Sequence, residues 1–334
     1  MDTLDLTRQL INIESISGNE KTLVDFLANY LEGIGFSIEL QEAETNRPNL
    51  YAKRGEPDVV LSTHTDTVPP YVELSEDDRF IYGRGACDTK GLMTSMIKAS
   101  ERLIAEGVSD FGMLLLVGEE NGSIGAKVAN HLPNHCHYLI NGEPTESKLA
   151  LGSKGALRAI LKASGRAAHS AYPHLGESAI EKLLDILNDF RRAELPKNET
   201  LGETTMNIGL MSGGVAANVI PPTAQAELMF RVVTETGELR KLIERINDHR
   251  ATIEYGFQCE PVFMEKLEGY DTTVVSFTTD IPALTNWGKP LLYGPGSILD
   301  AHTAGEKIAK KDVIEAVDIY VEMVKKLKTV LASS

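Results

Sequence analysis

The chain has 334 residues, 42% of them hydrophobic and 24% charged, with a formal net charge of −15. That is enough for about two domains at ~150 residues each, with ample apolar side chains for a core. So acidic a balance disfavours nucleic acid, and none is expected as a partner, since phosphate binding needs clustered Lys and Arg.

The opening Met1-Asp2-Thr3-Leu4-Asp5 has no basic segment followed by an apolar run, so no export signal is expected. No stretch approaches the ~20 apolar residues of a membrane helix. Cys87, Cys136 and Cys259 are widely spaced, which fits a reducing, cytoplasmic setting and no disulfide framework.

Leu4 to Ile16 reads as a short helix and its exit loop. Ser17-Gly18-Asn19-Glu20 starts a second helix, with Ser17 or Asn19 as cap and Leu23, Phe26, Leu27, Tyr30 and Leu31 on one face. Phe36 to Leu40 and Asn49 to Lys53 read as strands, and Val59-Val60-Leu61 as a buried one. Lys90 to Ile104 is a helix, Met113 to Val117 a strand, Gly125 to Asn130 the start of a helix, and Tyr138-Leu139-Ile140 a strand. Strands alternating with helices indicate an α/β sheet with parallel strands.

The pattern changes near Gly152. Ala156 to Ala163 (strand), Ser178 to Arg192 (helix), Thr205 to Met211 and Ala224 to Val232 (strands), Gly237 to His249 (helix) and Thr252 to Phe257 (strand) follow in order. This β-α-β-β-α-β order is the ferredoxin-like motif. It predicts an inserted α+β domain over 155–262, with the first domain formed by 1–154 and 263–334. Pro290-Leu291-Leu292 and a helix from Lys311 to Leu327 complete the first domain.

Three predicted strands run into acidic or imidazole residues: Val59-Val60-Leu61 into His64 and Asp66, Leu114 to Val117 into Glu119 and Glu120, and Leu139-Ile140 into Glu143. Ligands of open α/β sheets bind beyond the carboxyl ends of the strands, so these groups should converge. Asp88 joins them from the glycine-rich loop Gly83-Arg84-Gly85-Ala86-Cys87-Asp88, just before a helix. Carboxylates gathered at one point repel each other unless a multivalent cation neutralises them. A donor set of carboxylate and imidazole suits Zn, Mn or Co better than Ca or Mg.

His64-Thr65-Asp66-Thr67-Val68-Pro69, Gly83-Arg84-Gly85 with Asp88-Thr89-Lys90-Gly91, Glu119-Glu120-Asn121-Gly122 and Asn141-Gly142-Glu143-Pro144 occur in a telling order. The chain resembles, over nearly its whole length, the zinc metallopeptidase and deacylase superfamily of acetylornithine deacetylase, succinyl-diaminopimelate desuccinylase and glutamate carboxypeptidase. That resemblance implies a phosphorylase/hydrolase-like catalytic domain with a mixed central sheet, and a lid domain that dimerises.

It also implies roles. Asp88 bridges two divalent ions, zinc first, with cobalt or manganese as alternatives. His64 and Glu143 complete one site; Glu120 and His302, from Asp300-Ala301-His302-Thr303-Ala304-Gly305-Glu306, complete the other. Glu119 is the general base, and Asp66 orients His64 without binding a metal. His169, in Gly165-Arg166-Ala167-Ala168-His169-Ser170, stabilises the oxyanion from the partner subunit of a homodimer. Asn218 binds near the carbonyl, Arg231 grips a substrate carboxylate, and Gly294 in Gly294-Pro295-Gly296-Ser297 lines the substrate. Hinges for lid closure are expected near Gly152 to Gly155 and Pro261.

The expected activity is removal of an acyl group from a small N-acylated amino acid, acetylornithine deacetylase-like first. A dipeptidase, carboxypeptidase or succinyl-diaminopimelate desuccinylase is the alternative, and a catalytically silent ligand-binding relative the remote one. Small N-acyl amino acids or dipeptides are the expected partners.

Overall fold

Strand β3 (Val59–His64) is central to the first of two units, and its buried aliphatic run feeds both faces of a sheet. The computed structural model describes residues 1–333. In chain order the first unit contributes α1 (Thr3–Asn12), α2 (Lys21–Gly33), β1 (Ser37–Glu44), β2 (Arg47–Arg54), β3, α3 (Gly91–Ala105), β4 (Phe111–Leu116), α4 (Ile124–Ala129) and β5 (Tyr138–Asn141). The second unit follows with β6 (Gly155–Ser164), α5 (Ala179–Arg192), β7 (Thr205–Gly213), β8 (Thr223–Val232), α6 (Thr236–Asn247) and β9 (Thr252–Cys259). The chain then returns to the first unit with β10 (Lys289–Leu292) and α7 (Lys310–Ala332).

The six-stranded sheet has the order β1-β2-β4-β3-β5-β10. β3 runs parallel to β4 and β5, and β10 parallel to β5, while β1 and β2 are antiparallel additions at one edge. The sheet is therefore mixed. Side-chain alternation splits its core. Val59 and Leu61 pack with the apolar faces of the helix layer that includes Leu6, Leu27, Met96 and Val324, whereas Val60 joins Ala126, Ala129 and Trp287 on the other side. Trp287 donates Nε1–H to Ala129 O at 3.1 Å and meets Tyr51 edge-on at 5.1 Å, so its one polar atom is satisfied where it is buried.

The second unit is a four-stranded antiparallel sheet of order β7-β8-β6-β9. Leu157, Leu161, Leu228 and Phe230 face Leu183, Ile186, Leu187, Leu239 and Ile243 of the two helices. Ser178 caps α5 by accepting the N–H of Glu181. The element order is the ferredoxin-like one expected from sequence.

The unit boundaries differ from 155–262. The second unit spans Gly152–Phe263 and takes back Val274–Thr278. Gly152 and Ser153 pair with Phe263 and Val262, and Lys154 N–H donates to Val275 O at 3.0 Å. Backbone pairing, not the start of β6, sets the boundary. The cap of α2 also differs. Its first flanking residue is Glu20, with no side-chain cap bond, and Ser17 points elsewhere. No helix among the described residues is long and apolar enough to cross a membrane.

Candidate metal centre

The ends of β3, β4 and β5, the loop before α3 and the segment between β10 and α7 bring five donor groups of the first unit together. Asp88 Oδ1 lies 3.0 Å from His64 Nε2, and Asp88 Oδ2 lies 3.2 Å from His302 Nε2. His302 Nε2 is 2.8 Å from Glu120 Oε1, and His64 Nε2 is 3.8 Å from Glu143 Oε1. Two triads result, His64–Asp88–Glu143 and Asp88–Glu120–His302, in each of which one donor atom per residue lies within 4.8 Å of the others. Asp88 belongs to both. Its triad with His64 and Glu143 is buried, while His302 keeps its side chain 47% exposed, so one position is deep and the other open.

Each donor is placed by its surroundings. His64 closes β3, and its Nδ1 sits 2.9 Å from Asp66 O, which fixes the tautomer with Nδ1–H donating and turns Nε2 toward Asp88. The carboxylate expected to orient this ring stands off at 3.5 Å. Asp66 instead accepts Ser17 Oγ–H at 2.7 Å and the backbone N–H groups of Glu119 at 3.0 Å and Glu120 at 3.2 Å. Its backbone thus aims the histidine, and its side chain aims the Glu119–Glu120 turn.

That turn begins at Gly118, whose φ of +70° favours glycine and where a Cβ would meet Ile124 at 2.4 Å. Gly294 has a structural reason of its own. A Cβ there would lie 2.4 Å from Glu143 O, so the glycine lets the segment after β10 pack against the Glu143 backbone, and its N–H donates to Thr145 Oγ1 at 3.0 Å.

The charge pattern fits a cation. Burial and the neighbouring acidic groups push the Glu143 and Glu119 carboxyls well up, opposed by His64. Burial also opposes ionisation of Asp88, but hydrogen bonds from His302 and His64 hold it below the usual carboxylate range. Hydrogen bonds to Asp88 and Glu120 raise His302 to about 10. Protons thus do in the metal-free protein what a divalent ion would do. Glu143 Oε1 is buried without a hydrogen-bond partner, an orphaned acceptor facing the deep triad. With imidazole and carboxylate donors and no thiol, the set fits two divalent ions of the Zn, Co or Mn type. Cys87 is not a donor here: its Sγ–H points at Ser297 O, 3.3 Å away.

Ser17, Arg84, Asp280 and Glu306 also belong to this region, and sequence alone assigns none of them a place in the site. Ser17 before α2 reads as a helix cap, and Arg84 and Glu306 lie inside the motifs of Asp88 and His302. Asp280 carried no signal. It is 1% exposed with both carboxylate oxygens unpartnered, and burial raises it to about 6.

The remaining expected residues lie in the second unit. His169 and Asn218 come from separate motifs that the backbone joins: His169 bridges Val219, and Ser170 N–H donates to Asn218 O at 3.0 Å. Both side chains are exposed. Arg231 lies on β8 opposite Thr205 and Ala156. Arg158 on the same sheet is bound to Glu227, whereas Arg231 has no carboxylate partner among the described residues.

Comparison with known proteins places these features in context. Residues 151–256 match the family described as peptidase dimerisation domain. The chain is 39% identical to a peptidase M20 domain-containing protein of Schizosaccharomyces pombe, over 96% of this chain and 84% of that one. It is 36% identical to a probable carboxypeptidase of Aspergillus flavus, over 96% of this chain and 89% of that one. Its fold is similar to the crystal structure of a tripeptidase from Staphylococcus aureus, with a TM-score of 0.79, 21% identity and 96% of each chain covered.

Proposed function

The chain belongs to the M20 family of metallopeptidases, a family of hydrolases, and we propose that it cleaves the amide bond next to a free carboxylate in a short peptide, using two divalent ions. The observation that carries this reading is Asp88, one carboxylate shared by two triads that meet nowhere else.

His64, Asp88 and Glu143 would hold one ion, and Asp88, Glu120 and His302 the other. Bound there, such ions supply Lewis-acid polarisation of the scissile carbonyl and a water of lowered pKa, ~7 for zinc. The rest is done by the chain. Glu119 follows the Gly118 turn, is partly buried, and has its backbone held by Asp66. Its carboxylate takes the proton of the attacking water and hands it to the leaving amine nitrogen. A carboxyl raised by its surroundings is a better match to that task near neutral pH than a solvated one.

Arg231, free of any internal carboxylate, is the group for the carboxylate of the substrate, and a guanidinium can bind it with two parallel hydrogen bonds. His169 and Asn218 polarise the carbonyl oxygen, with His169 delivered by a second copy of the chain. The match to a dimerisation domain supports a homodimer formed through the second unit. Exposed Leu210 and Met211 on the edge strand β7 favour it too. Full activity from a species that light scattering weighs as one chain contradicts that assembly.

The peptide reading comes first because the Aspergillus relative is named a carboxypeptidase. Acetylornithine deacetylase-like removal of a small acyl group is the second reading. The same unpaired arginine favours it, since acylated amino acids also end in a free carboxylate. A turnover panel separates the two: dipeptides, tripeptides, N-acetyl and N-succinyl amino acids, and C-amidated peptides, each with zinc, cobalt or manganese. Cleavage of peptides with free C-termini, lost on amidation, is the expected result. Equal turnover of amidated peptides contradicts the carboxylate requirement.

A further inference from the structure

Beneath the shared carboxylate lies a buried ion pair that the reaction itself does not use. Arg84 is 2% exposed and Glu306 1% exposed, and they are 222 residues apart in sequence. Arg84 Nη1–H donates to Glu306 Oε2. Glu306 Oε1 accepts two consecutive backbone N–H groups, Cys87 at 3.2 Å and Asp88 at 3.1 Å. Arg84 also donates from Nε to Pro70 O at 3.1 Å and from Nη1 to Thr303 O at 3.4 Å. Gly83 N–H returns to Glu306 O at 3.1 Å.

We propose that Arg84 and Glu306 are a positioning pair that makes Asp88 a shared ligand and holds His302 opposite it. This rests on the two-ion reading above. An aspartate has a short side chain, so fixing its backbone amide fixes where its carboxylate can reach. Glu306 does this with a single oxygen on the Cys87 and Asp88 amides. Its partner Arg84 reaches the carbonyl of the residue after His302. His302 itself sits at φ +62°, a conformation that a non-glycine residue keeps only when its surroundings hold it. One buried pair therefore ties together the two segments that supply Asp88 and His302. The deep position has further supports: His64 through Asp66 O and through its own carbonyl, which accepts Thr89 Oγ1–H at 2.8 Å, and Glu143 through the close packing of Gly294. Loss of the pair should therefore be felt at the open position, Asp88–Glu120–His302, before the deep one.

The alternative is an ion pair that stabilises the fold and nothing more, and two variants distinguish the cases. Glu306→Gln keeps one carbonyl oxygen for the two amides but sets an amide NH2 against the guanidinium of Arg84, which cannot accept from it. Arg84→Met with Glu306→Gln removes both charges together, which spares the fold the cost of an unpaired buried charge. The measurement is titration of the metal-stripped full-length protein with Mn2+ alone. Paramagnetic resonance counts the bound ions and reads the signal of a spin-coupled pair, with unfolding midpoints recorded in parallel.

The wild type should take up two ions with a coupled signal. In both variants the second ion should bind about 10- to 100-fold more weakly and the coupled signal should fade, while first-ion affinity falls less than second-ion affinity, since two of the deep triad's three donors, His64 and Glu143, keep other supports. Wild-type second-ion affinity in either variant overturns the proposal, whatever happens to the unfolding midpoint. A wild type that binds fewer than two ions sinks the two-ion reading instead, a result distinct from two ions bound equally by all three proteins.

Discussion

Asp66 accepts the backbone N–H of Glu119 at 3.0 Å, across 53 residues of sequence. Through this bond the residue beside one metal-site histidine also sets the position of the proposed base. The same carboxylate accepts Glu120 N–H and Ser17 Oγ–H, and its own carbonyl faces His64 Nδ1. One aspartate thus links the deep triad, the open triad and the base.

Asp66→Asn replaces one accepting oxygen with a donor, so it cannot satisfy Ser17 and both amides at once. We predict a 10- to 100-fold loss of kcat, typical of removing a partner behind a metal site. Ser17→Ala should have a smaller effect in the same direction. It removes a hydrogen bond to a charged group, on the order of 2 kcal/mol in stability. Steady-state kinetics with unfolding curves check both. If Asp66→Asn leaves kcat intact, the carboxylate does not organise the base.

Glu119→Gln keeps the backbone bond to Asp66 and changes only the side chain. It should retain both ions by elemental analysis while kcat falls ~10²- to 10⁴-fold, the range for a lost acid–base group. A kcat within a few-fold of wild type removes Glu119 from the proton transfer.

Metal binding should release protons. Hydrogen bonds to Asp88 and Glu120 raise His302 to about 10, and Glu143, Asp66 and Asp88 raise His64 against the opposing effect of burial. These contacts favour the doubly protonated form of both rings in the metal-free protein, and the proton on Nε2 must leave before that nitrogen can coordinate. Titration calorimetry at pH 7.5 in buffers of different ionisation enthalpy should show net proton release, and His302→Gln should release fewer protons. Affinity should rise with pH until those groups have titrated. Heats that do not depend on the buffer contradict this account of the donors.

Lys90 offers a pH effect outside the reaction. It is 1% exposed, donates to Ile13 O at 2.6 Å, and burial lowers it to about 8, against the pull of Glu306 and Glu14. Its folded value is depressed, so its contribution to stability is full above the unfolded value of 10.5 and is lost as pH falls toward 8. Denaturant unfolding of the metal-free protein against Lys90→Met should show the wild type gaining on the variant between pH 8 and 10.5, by roughly 3 kcal/mol at most. Parallel curves across that window rule out a charge cost at Lys90.

Much of this site can be read from the sequence because strands deliver it. His64 closes the aliphatic run that starts at Val59, Glu120 follows the run ending at Leu116, and Glu143 follows Asn141, so the pattern points these groups to the carboxyl ends of neighbouring strands. The contacts that organise the site could not be read this way. Ser17 before a helix looks the same whether its hydroxyl caps that helix or reaches Asp66, 49 residues on. Arg84 and Glu306 meet only after the chain has passed through the second unit. Asp280 precedes an ordinary Ile-Pro turn, and its burial is a tertiary fact. The close approach of the Gly294 backbone to Glu143 is likewise a tertiary fact that the Gly294-Pro295-Gly296-Ser297 motif does not announce. Local pattern identifies donors at strand ends, but not which carboxylate holds which amide.

The most direct test of the central claim is metal stoichiometry paired with turnover. Strip the protein with a chelator, add back zinc, cobalt or manganese in steps, and follow hydrolysis of a peptide with a free C-terminus. The account predicts no turnover without metal, two ions bound per chain at saturation, and loss of the second ion together with most of the activity in His302→Ala, whose ring completes the open triad with Asp88 and Glu120. Full turnover by the stripped protein, or a second ion that still binds His302→Ala as tightly as wild type, would contradict it.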